Sequence, residues 1–277
     1  MPKSGEQYKK LLFLGGGNIA GAVACGIARS GAVAPESISV YDVDKTKYQK
    51  FKDCGIGICD SLRSASCDAD FIFIAVKPNV VRQVVSELAS FDGVLDRSVL
   101  VSFAAGVSCA HINSYAGREC KIIRTMPSTP MLVGEGVLAA YKSAPVSKRD
   151  FEYICRLIST IAHVEVVDES ALNPIISVSG SSPAYVYLFI KAMLDASRKL
   201  GVDERTALPL ILKTVKGSVT MIERSGSSLD ELISEVASPN GTTIEAIRSF
   251  ENDDLSGAVY RAMKACLDRA NEISSEL

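Results

Sequence analysis

A glycine-rich segment near the N-terminus has the residue types and the setting of a dinucleotide-binding turn. The strand-like run KKLLFL is followed at once by Gly15-Gly16-Gly17-Asn18-Ile19-Ala20, a G-x-G-x-x-A pattern that opens a helical run. In such a turn the first glycine allows the bend, Gly17 lets backbone amides approach a pyrophosphate, and Ala20 permits close packing. The sequence therefore predicts dinucleotide binding over Leu14 to Ile19, against the alternative of a structural turn.

An acidic residue follows the second strand-like run at the spacing expected for a ribose ligand. Asp42 lies 25 residues after Gly17, where a carboxylate hydrogen-bonds the adenosine ribose in NAD-binding folds. Because a carboxylate repels a 2′-phosphate, Asp42 favours NADH over NADPH, whereas the nearby Lys45 and Lys47 favour NADPH. In the alternative interpretation, Asp42 or Asp44 only caps a helix that begins near Lys45.

Small residues follow two later strand-like runs, at the edge where a parallel sheet collects its ligands. Ala75-Val76-Lys77-Pro78 ends one run, and Ala104-Ala105 follows another. We expect both segments to contact the coenzyme and to leave room for the nicotinamide. Lys77 is either catalytic or, in the interpretation that we favour, a polar loop residue or coenzyme contact.

Two hydroxyl-rich turns lie in the C-terminal half. Ser238-Pro239-Asn240-Gly241-Thr242-Thr243 precedes a helical pattern, in which Thr242 and Glu245 fit a capping box. The run Ser179 to Tyr185 predicts Ser182 as the N-cap of another helix. Each turn by itself is an ordinary helix start. If the two turns meet, their amides and hydroxyls suit a carboxylate.

The elements that must position these segments form two domains. Before Asp168, short apolar runs alternate with amphipathic ones, which predicts a parallel sheet covered by helices on both faces. A helix is expected over Lys148–Ala162. We predict an α/β protein, with a Rossmann doubly wound domain over 1–168 and an all-α domain over 169–277. The predicted strands are Leu11–Leu14, Ile38–Tyr41, Phe71–Val76, Val99–Phe103, Cys120–Arg124, Gly136–Ala140 and Val164–Val167.

Composition excludes several functional classes. The 277 residues carry 30 basic and 32 acidic side chains, so a nucleic-acid or anionic membrane partner is not expected. Leu11 to Ala28 lacks charge, but its glycines argue against a membrane helix. Two histidines and the absence of C-x-x-C predict no metal site. Eight scattered cysteines and the start MPKSGEQYKK, which is no signal peptide, predict free thiols and a cytoplasmic location.

Together these motifs resemble the pyrroline-5-carboxylate reductase family over nearly the whole chain. Val236 to Ile247 resembles the family signature, a hydrophobic residue and T/S-S-P-G-G-T-T before a helix. The glycine segment, A-V-K-P, A-A-G, M-P-x-T-P and S-G-x-x-P-A-Y follow in the family's order. Three positions depart from the family pattern, since Ser128 replaces Asn and both Ser182 and Asn240 replace Gly. Asp42 also stands where the family often has Asn-Arg or Ser, which strengthens the NADH interpretation.

The resemblance implies hydride transfer from NADH or NADPH to the C=N carbon of 1-pyrroline-5-carboxylate, which gives L-proline. It implies that the substrate is bound by Ser182, Ser238, Gly241, Thr242 and Thr243. The Thr243 hydroxyl, assigned here as catalytic, would hydrogen-bond the ring nitrogen. The resemblance also implies a homodimer formed by the helical domain, with further assembly up to a decamer of dimers and with the substrate loop at the dimer interface.

Two other functions stay open from the residues. A β-hydroxyacid-dehydrogenase-like oxidoreductase would share the two-domain plan but needs a Lys followed one turn later by Asn, where this chain has Lys191 and Asp195. A non-catalytic dinucleotide-binding regulator of the same fold would bind NADH without turning over an imine.

Overall fold

The first unit is built on one twisted sheet. The structure is a computed structural model that describes residues 9–277, so the N-terminal segment 1–8, where no signal peptide is predicted, lies outside the described residues. The strands of this sheet lie in the order β3-β2-β1-β4-β5-β6-β7-β8. They are β1 Leu11–Leu14, β2 Ile38–Tyr41, β3 Gly57–Ile58, β4 Phe71–Ile74, β5 Val99–Ser102, β6 Ile122–Pro127, β7 Gly136–Lys142 and β8 Ala162–Val166.

The first six strands form the predicted doubly wound sheet. Neighbours from β3 to β6 pair in parallel, and β1 pairs with β2 on one side and with β4 on the other. The order 3-2-1-4-5-6 is that of a Rossmann fold. The chain therefore reverses direction across the sheet between β1 and β4, and a crevice for ligands opens at the carboxyl ends of these strands.

The prediction of a wholly parallel sheet is wrong at one edge. β7 pairs with β6 in antiparallel fashion, and β8 then runs parallel to β7. The connection from Pro127 to Gly136 contains only the short 3₁₀ helix Thr129–Val133. A parallel return needs a crossover of about a dozen residues or more, usually through an α-helix, so this connection can make only an antiparallel neighbour.

The central strands are apolar throughout because both sheet faces are covered. In β1, Leu11 and Phe13 pack into one core cluster, and Leu12 and Leu14 into the cluster on the opposite face. All four residues are at most 1% exposed. The Phe13 ring stacks on Phe73 of β4 with centroids 4.3 Å apart. Burial on both faces explains why LLFL shows no alternation of polar and apolar residues.

Helices cover the sheet and make up the second unit. α9 begins at Ser182, one residue earlier than an N-cap at that position predicts. The helix expected over Lys148–Ala162 ends at Ile158, because Ala162 already pairs with Gly136 in the sheet. The helices are α1 Asn18–Ser30, α2 Gln49–Lys52, α3 Leu62–Ser66, α4 Pro78–Ala89, α5 Val94–Arg97, α6 Cys109–Ala116, α7 Lys148–Ile158, α8 Leu172–Ile175, α9 Ser182–Lys199, α10 Glu204–Ser225, α11 Leu229–Val236, α12 Thr242–Asn252 and α13 Leu255–Ser275.

The compact units divide later in the chain than residue 168. The first unit runs through Ser181 and the second comprises Ser182–Ala265. The segment after β8 stays with the sheet because Leu172 and Ile176 pack against Met126 and Ala139 in a third core cluster. Removing these side chains from water contributes roughly 1.5–3 kcal/mol for each fully buried large residue.

The end of α13 also belongs to the first unit, which comprises Cys266–Leu277 as well. Ala270 joins the third core cluster, and the Ser274 hydroxyl donates to the Gly106 carbonyl at 2.6 Å. The Asn173 amide donates to Asn271 at 3.2 Å. The last three turns of α13 are therefore fixed to the sheet unit by apolar and polar contacts.

The second unit buries very little apolar surface within one chain. Among its described residues, Ala207 and Ile211 are the buried hydrophobic ones. Its exposed large apolar residues include Val186, Tyr187, Leu188, Phe189, Leu210, Leu212, Val219, Met221, Ile222, Leu229, Ile233, Val236, Phe250, Leu255, Val259 and Tyr260. Apolar exposure of this extent is typical of an interaction surface. Within residues 9–277 no helix is both long and apolar enough to cross a membrane.

Candidate coenzyme and substrate sites

The glycine loop is held between two strand ends, and its first position requires glycine. Gly15 has φ +103°, and a Cβ there would lie 2.7 Å from the Ala75 carbonyl oxygen. The Gly15 amide donates to the Tyr41 carbonyl at 2.9 Å. A side chain at this position is excluded both by backbone conformation and by space.

Gly17 faces open space at the start of α1. It is the N-cap residue of that helix, no side chain caps the helix, and a Cβ on Gly17 would meet no atom within 4 Å. The first amides of a helix have no partner inside it and carry partial positive charge, which suits phosphate oxygens. The open space and the free amides at Gly17, Asn18 and Ile19 fit the pyrophosphate of a dinucleotide.

The Asp42 carboxylate is turned toward the glycine loop. Its Oδ2 accepts a hydrogen bond from the Gly16 amide at 2.5 Å, and its Oδ1 accepts one from the Asp44 amide at 2.7 Å. Lys47 Nζ lies 3.1 and 3.2 Å from the two oxygens. Burial alone would raise the pKa of Asp42, but these hydrogen bonds and the Lys47 charge outweigh it and hold the pKa below its ordinary value.

The alternative interpretation of this segment is correct for Asp44. The Asp44 side chain caps the 3₁₀ helix Lys45–Tyr48 by accepting from the Thr46 amide at 3.0 Å. Asp42 does not cap that helix. Its backbone is held instead by the Tyr48 hydroxyl, which donates to the Asp42 carbonyl at 2.5 Å.

The two small-residue segments lie where they were predicted, at the carboxyl ends of β4 and β5. Ala75 and Val76 follow β4 directly, Lys77 is the exposed N-cap of α4, and Pro78 is the first residue of that helix. After β5, the buried Ala104 donates its amide to the Ser102 hydroxyl at 3.3 Å. Ala105 follows it and is half-buried. The segments after β4 and β5 therefore lie at the same edge of the sheet as the glycine loop and Asp42, which follow β1 and β2.

The substrate residues predicted between Ser238 and Thr243 lie in a tight turn, which ends at Gly241, and in the first two positions of α12. The Gly241 amide donates to the Ser238 carbonyl at 3.0 Å. A Cβ on Gly241 would lie 2.5 Å from the Ser238 hydroxyl oxygen. Asn240 has φ 61°, a left-handed conformation that Asn tolerates better than most residues. The departure from the family glycine at this position is therefore compatible with the same turn.

The capping box predicted for Thr242 and Glu245 is wrong. Thr242 is the first residue of α12 and Gly241 is its N-cap, and within residues 9–277 no side chain accepts from the first amides of this helix. The Glu245 carboxylate pairs instead with Arg248 at 2.6 Å. The N-terminal amides of α12 are consequently left without a capping side chain, which suits a bound anion.

Ser182 does not act as the predicted N-cap. It is the first residue of α9, and Ser181 before it already has helical backbone angles at the end of the π-helical turn Ile176–Gly180. Within the described chain no hydrogen bond joins Ser182 to the turn that contains Thr243. Both belong to the second unit, whereas the predicted coenzyme residues belong to the first.

Sequence reasoning missed a lysine that contacts the glycine loop. Lys50 Nζ donates to the Gly17 carbonyl at 2.9 Å. The motif gave no indication of this contact because α2 and the loop are 33 residues apart. A signal existed in the first glycine of α1, since Gly21 is the residue that leaves space for Lys50. No group of three or more His, Cys, Asp and Glu side chains in residues 9–277 is placed to hold a metal ion.

Fold and site together define a class of protein. A doubly wound sheet with an open glycine loop, joined to a helical unit, is the plan of two-domain oxidoreductases that use a nicotinamide dinucleotide. In agreement, residues 10–106 match the family model "NADP oxidoreductase coenzyme F420-dependent", and residues 169–273 match "Pyrroline-5-carboxylate reductase dimerisation".

Relatives of known name narrow the class to one family. The chain is 37% identical over 267 residues to pyrroline-5-carboxylate reductase of Escherichia coli (strain K12), covering 96% of this chain and 98% of that one. It is 36% identical over 265 residues to the enzyme of Corynebacterium melassecola, covering 95% and 98% of the two chains. The chain belongs to the pyrroline-5-carboxylate reductase family, as its motifs indicated.

Solved structures agree over the full length. The Plasmodium falciparum pyrroline carboxylate reductase with NADP bound has a TM-score of 0.89 at 28% identity, covering 98% of this chain and 100% of that one. The pyrroline-5-carboxylate reductase of Coxiella burnetii has a TM-score of 0.87 at 30% identity, covering 97% and 99%. The likeness thus includes both units.

Proposed function

We propose that the protein reduces 1-pyrroline-5-carboxylate to L-proline with a hydride from NADH or NADPH. The observation that carries the proposal is the open face of Gly17 at an uncapped helix start, which fits a pyrophosphate. The full-length match to reductases of that name supports the substrate. Metal ions, nucleic acid and membranes have no part in the proposed reaction.

The first unit would hold the coenzyme along the edge of the sheet. We propose that the amides of Gly17, Asn18 and Ile19 bind the pyrophosphate, and that Ala75–Pro78 and Ala104–Ala105 line the path toward the nicotinamide. The reduced coenzyme supplies the hydride when it is bound. Lys77, which is exposed at the N-cap of α4, is assigned a coenzyme contact rather than a proton-transfer role.

The second unit would hold the imine. We propose that the amides of Gly241, Thr242 and Thr243, together with the hydroxyls of Ser182 and Ser238, bind the substrate carboxylate. The Thr243 hydroxyl would hydrogen-bond the ring nitrogen. A protonated imine is already electrophilic, so the main requirement is to hold its ring at reacting distance from the hydride donor. The absence of a histidine base from the motifs is consistent with this chemistry.

For the coenzyme we propose a modest preference for NADH. The ionised Asp42 carboxylate would repel a 2′-phosphate near the end of β2. Lys47, paired with that carboxylate at 3.1 Å, offsets part of the repulsion. Replacing Asp42 by Ser should therefore lower the ratio of kcat/KM for NADH to that for NADPH. A wild-type enzyme that favours NADPH would contradict the Asp42 argument and assign the choice to Lys45 and Lys47.

The protein forms a homo-oligomer through its dimerisation domain. We propose a homodimer as the basic unit, in which the exposed apolar faces of α9 to α13 are buried, and further assembly up to a decamer of dimers. Light scattering of the purified protein measures the mass. A monodisperse monomer at micromolar concentration would contradict the dimer.

A steady-state assay tests the function directly. Oxidation of NADH and of NADPH is followed at saturating and at limiting 1-pyrroline-5-carboxylate, and proline is measured as the product. We expect turnover with both coenzymes. Coenzyme binding without turnover would instead support the non-catalytic regulator. The hydroxyacid-dehydrogenase alternative has less support, because Lys191 is paired with Asp195 at 2.7 Å on an exposed helix face.

A further inference from the structure

Two peptide groups of the glycine loop are held by side chains from the segment after β2. The carbonyl of Gly17 accepts from the Gly21 amide at 3.0 Å within α1 and from Lys50 Nζ at 2.9 Å. A peptide group is planar and trans, so holding its carbonyl also fixes its N–H, which points the opposite way. Lys50 therefore fixes the direction of the Asn18 amide, the first free donor of α1.

The Gly15–Gly16 peptide group, on the other side of Gly16-Gly17, is fixed by Asp42 through the Gly16 amide. A carboxylate has about four acceptor sites, and the Asp42 oxygens are already engaged by the amides of Gly16 and Asp44 and by Lys47. This occupancy leaves no free site for a ribose hydroxyl while Lys47 stays in place. It also turns the Gly16 amide toward the protein, so that the pyrophosphate is left to the amides that follow.

The position of Lys50 depends on a glycine in α1. A Cβ on Gly21 would lie 3.0 Å from Lys50 Cε and 3.1 Å from its Nζ. The Lys50 ammonium also lies 5.2 Å from the centroid of the Phe51 ring. Burial lowers the pKa of Lys50 from its ordinary value, against the raising influence of Cys25 and Asp42. Lys50 is half-buried, and its ammonium lies beside the loop at hydrogen-bond distance from the Gly17 carbonyl.

We propose that Lys50 and Asp42 are positioning residues that fix the peptide groups on either side of Gly16-Gly17 for binding of the dinucleotide pyrophosphate. The inference rests on the proposed function, in which this loop holds the coenzyme. Since NADH and NADPH share the pyrophosphate, both residues contribute to the affinity for either coenzyme. This role differs from that of Lys45 and Lys47, which bear on the 2′-phosphate.

The first experiment removes the Lys50 ammonium and keeps its apolar stem. In Lys50→Met the Kd for NADH and for NADPH, measured by fluorescence titration, should each rise about tenfold, with their ratio changed by less than about twofold. The control Lys52→Met removes the same charge from an exposed position of α2 and should leave both Kd values within about twofold of wild type. With saturating coenzyme, kcat should change little, because the loss lies in coenzyme binding.

A second experiment displaces Lys50 without mutating it. Gly21→Ala should weaken binding of both coenzymes, because the new methyl group occupies the space of the Lys50 side-chain end. The matched control is Gly217→Ala in α10, where a Cβ would meet no atom within 4 Å. Both changes favour helix, so neither should lower the melting temperature. In a Lys50→Met background, Gly21→Ala should have no further effect on either Kd.

The positioning role of Asp42 is tested by comparing two substitutions, of which one removes the oxygen acceptor and the other keeps it. Asp42→Ser should weaken the binding of both coenzymes, whereas Asp42→Asn, which keeps an oxygen acceptor for the Gly16 amide, should recover most of the affinity.

Two results would overturn the Lys50 assignment. One is equal Kd values for Lys50→Met and Lys52→Met, and the other is a loss of affinity for NADPH alone. If wild-type protein bound neither coenzyme, the proposed function itself would fail, and that outcome is distinct from unchanged binding by the variants.

Discussion

Replacing Thr243 by Ala separates a substrate role from a structural one. Thr243 is the second residue of α12 and half-buried, and the helix is capped by no side chain. Within the described chain its hydroxyl makes no hydrogen bond. Ala has the better helix propensity by roughly 0.5 kcal/mol, which offsets the lost methyl contacts. We therefore expect the free energy of unfolding to change by no more than about 0.5 kcal/mol, or about 2 °C in Tm.

Catalysis should respond much more strongly. If the hydroxyl positions the imine nitrogen, Thr243→Ala should lower kcat/KM for 1-pyrroline-5-carboxylate about tenfold or more, equivalent to about 1.4 kcal/mol of transition-state binding. The Kd for NADH should not change. The assay pairs steady-state kinetics with thermal melting on the same preparation.

Two variants serve as controls for this test. Thr243→Ser keeps the hydroxyl and should keep most of the activity. Thr220→Ala removes a hydroxyl that donates to the Lys216 carbonyl at 2.9 Å in α10, and kcat/KM should stay at the wild-type value. A Thr243→Ala variant with wild-type kcat/KM and a lowered Tm would refute the substrate role and make this turn purely structural.

Three further predictions concern the first unit. Gly17→Val should abolish NADH binding in a fluorescence titration and leave Tm nearly unchanged, because its side chain enters open space, whereas Gly15→Ala should lower Tm, because its Cβ would lie 2.7 Å from a backbone oxygen. Arg124→Met should lower Tm by about 5 °C or more, because this side chain, in a residue 4% exposed, would lose its polar contacts with Glu169 and Asn173. Burial and a nearby carboxylate raise the pKa of Cys109 to about 12, so at pH 8 only about one thiol in ten thousand is ionised. Mass spectrometry should show exposed Cys67 alkylated long before Cys109.

Each of these predictions has a contrary result. Unchanged NADH affinity in Gly17→Val would show that the loop does not face the pyrophosphate. A Tm of Arg124→Met within about 1 °C of wild type would mean that water reaches the partners of Arg124. Alkylation of Cys109 at the rate of Cys67 would mean that the core opens around α6.

The sequence was sufficient for the elements with strong local signals. β1 and β2 occupy the predicted residues. In β1, four consecutive apolar residues fit a strand buried on both faces, and in β2 the buried Ile38 and Val40 alternate with the half-buried Ser39 and Tyr41. The direction of β7 was not predictable from its apolar pattern, because periodicity identifies a strand but not its orientation. The connection carried that information, because no helix is predicted between Arg124 and Gly136 to make a parallel crossover.

The positions of site residues were predictable where consecutive residues of one motif form the turn that holds them. The open face of Gly17 follows from the turn, and the Ser238–Thr243 turn follows from its own backbone. The partners of Asp42 did not follow, because Gly16 and Lys47 reach it from different elements. Thr242 matched a capping pattern, but Glu245 found Arg248 one turn later. A local sequence pattern therefore predicts one hydrogen-bond partner for a side chain, but the residues around it in the folded chain determine which partner it binds.

The chain leaves the sheet unit at Ser181 and returns to it at Cys266, so the second unit is inserted between two segments of the first. The Cys266 thiol lies 3.3 Å from the Ser181 hydroxyl, so the two residues that flank the inserted segment are neighbours. A few Gly and Ser residues are enough to span such a gap. The sheet unit could therefore be prepared as a continuous chain with 182–265 replaced by a short bridge. That miniature protein would retain the coenzyme loop while lacking the exposed apolar helices, which makes it a route to a monomeric dinucleotide-binding module.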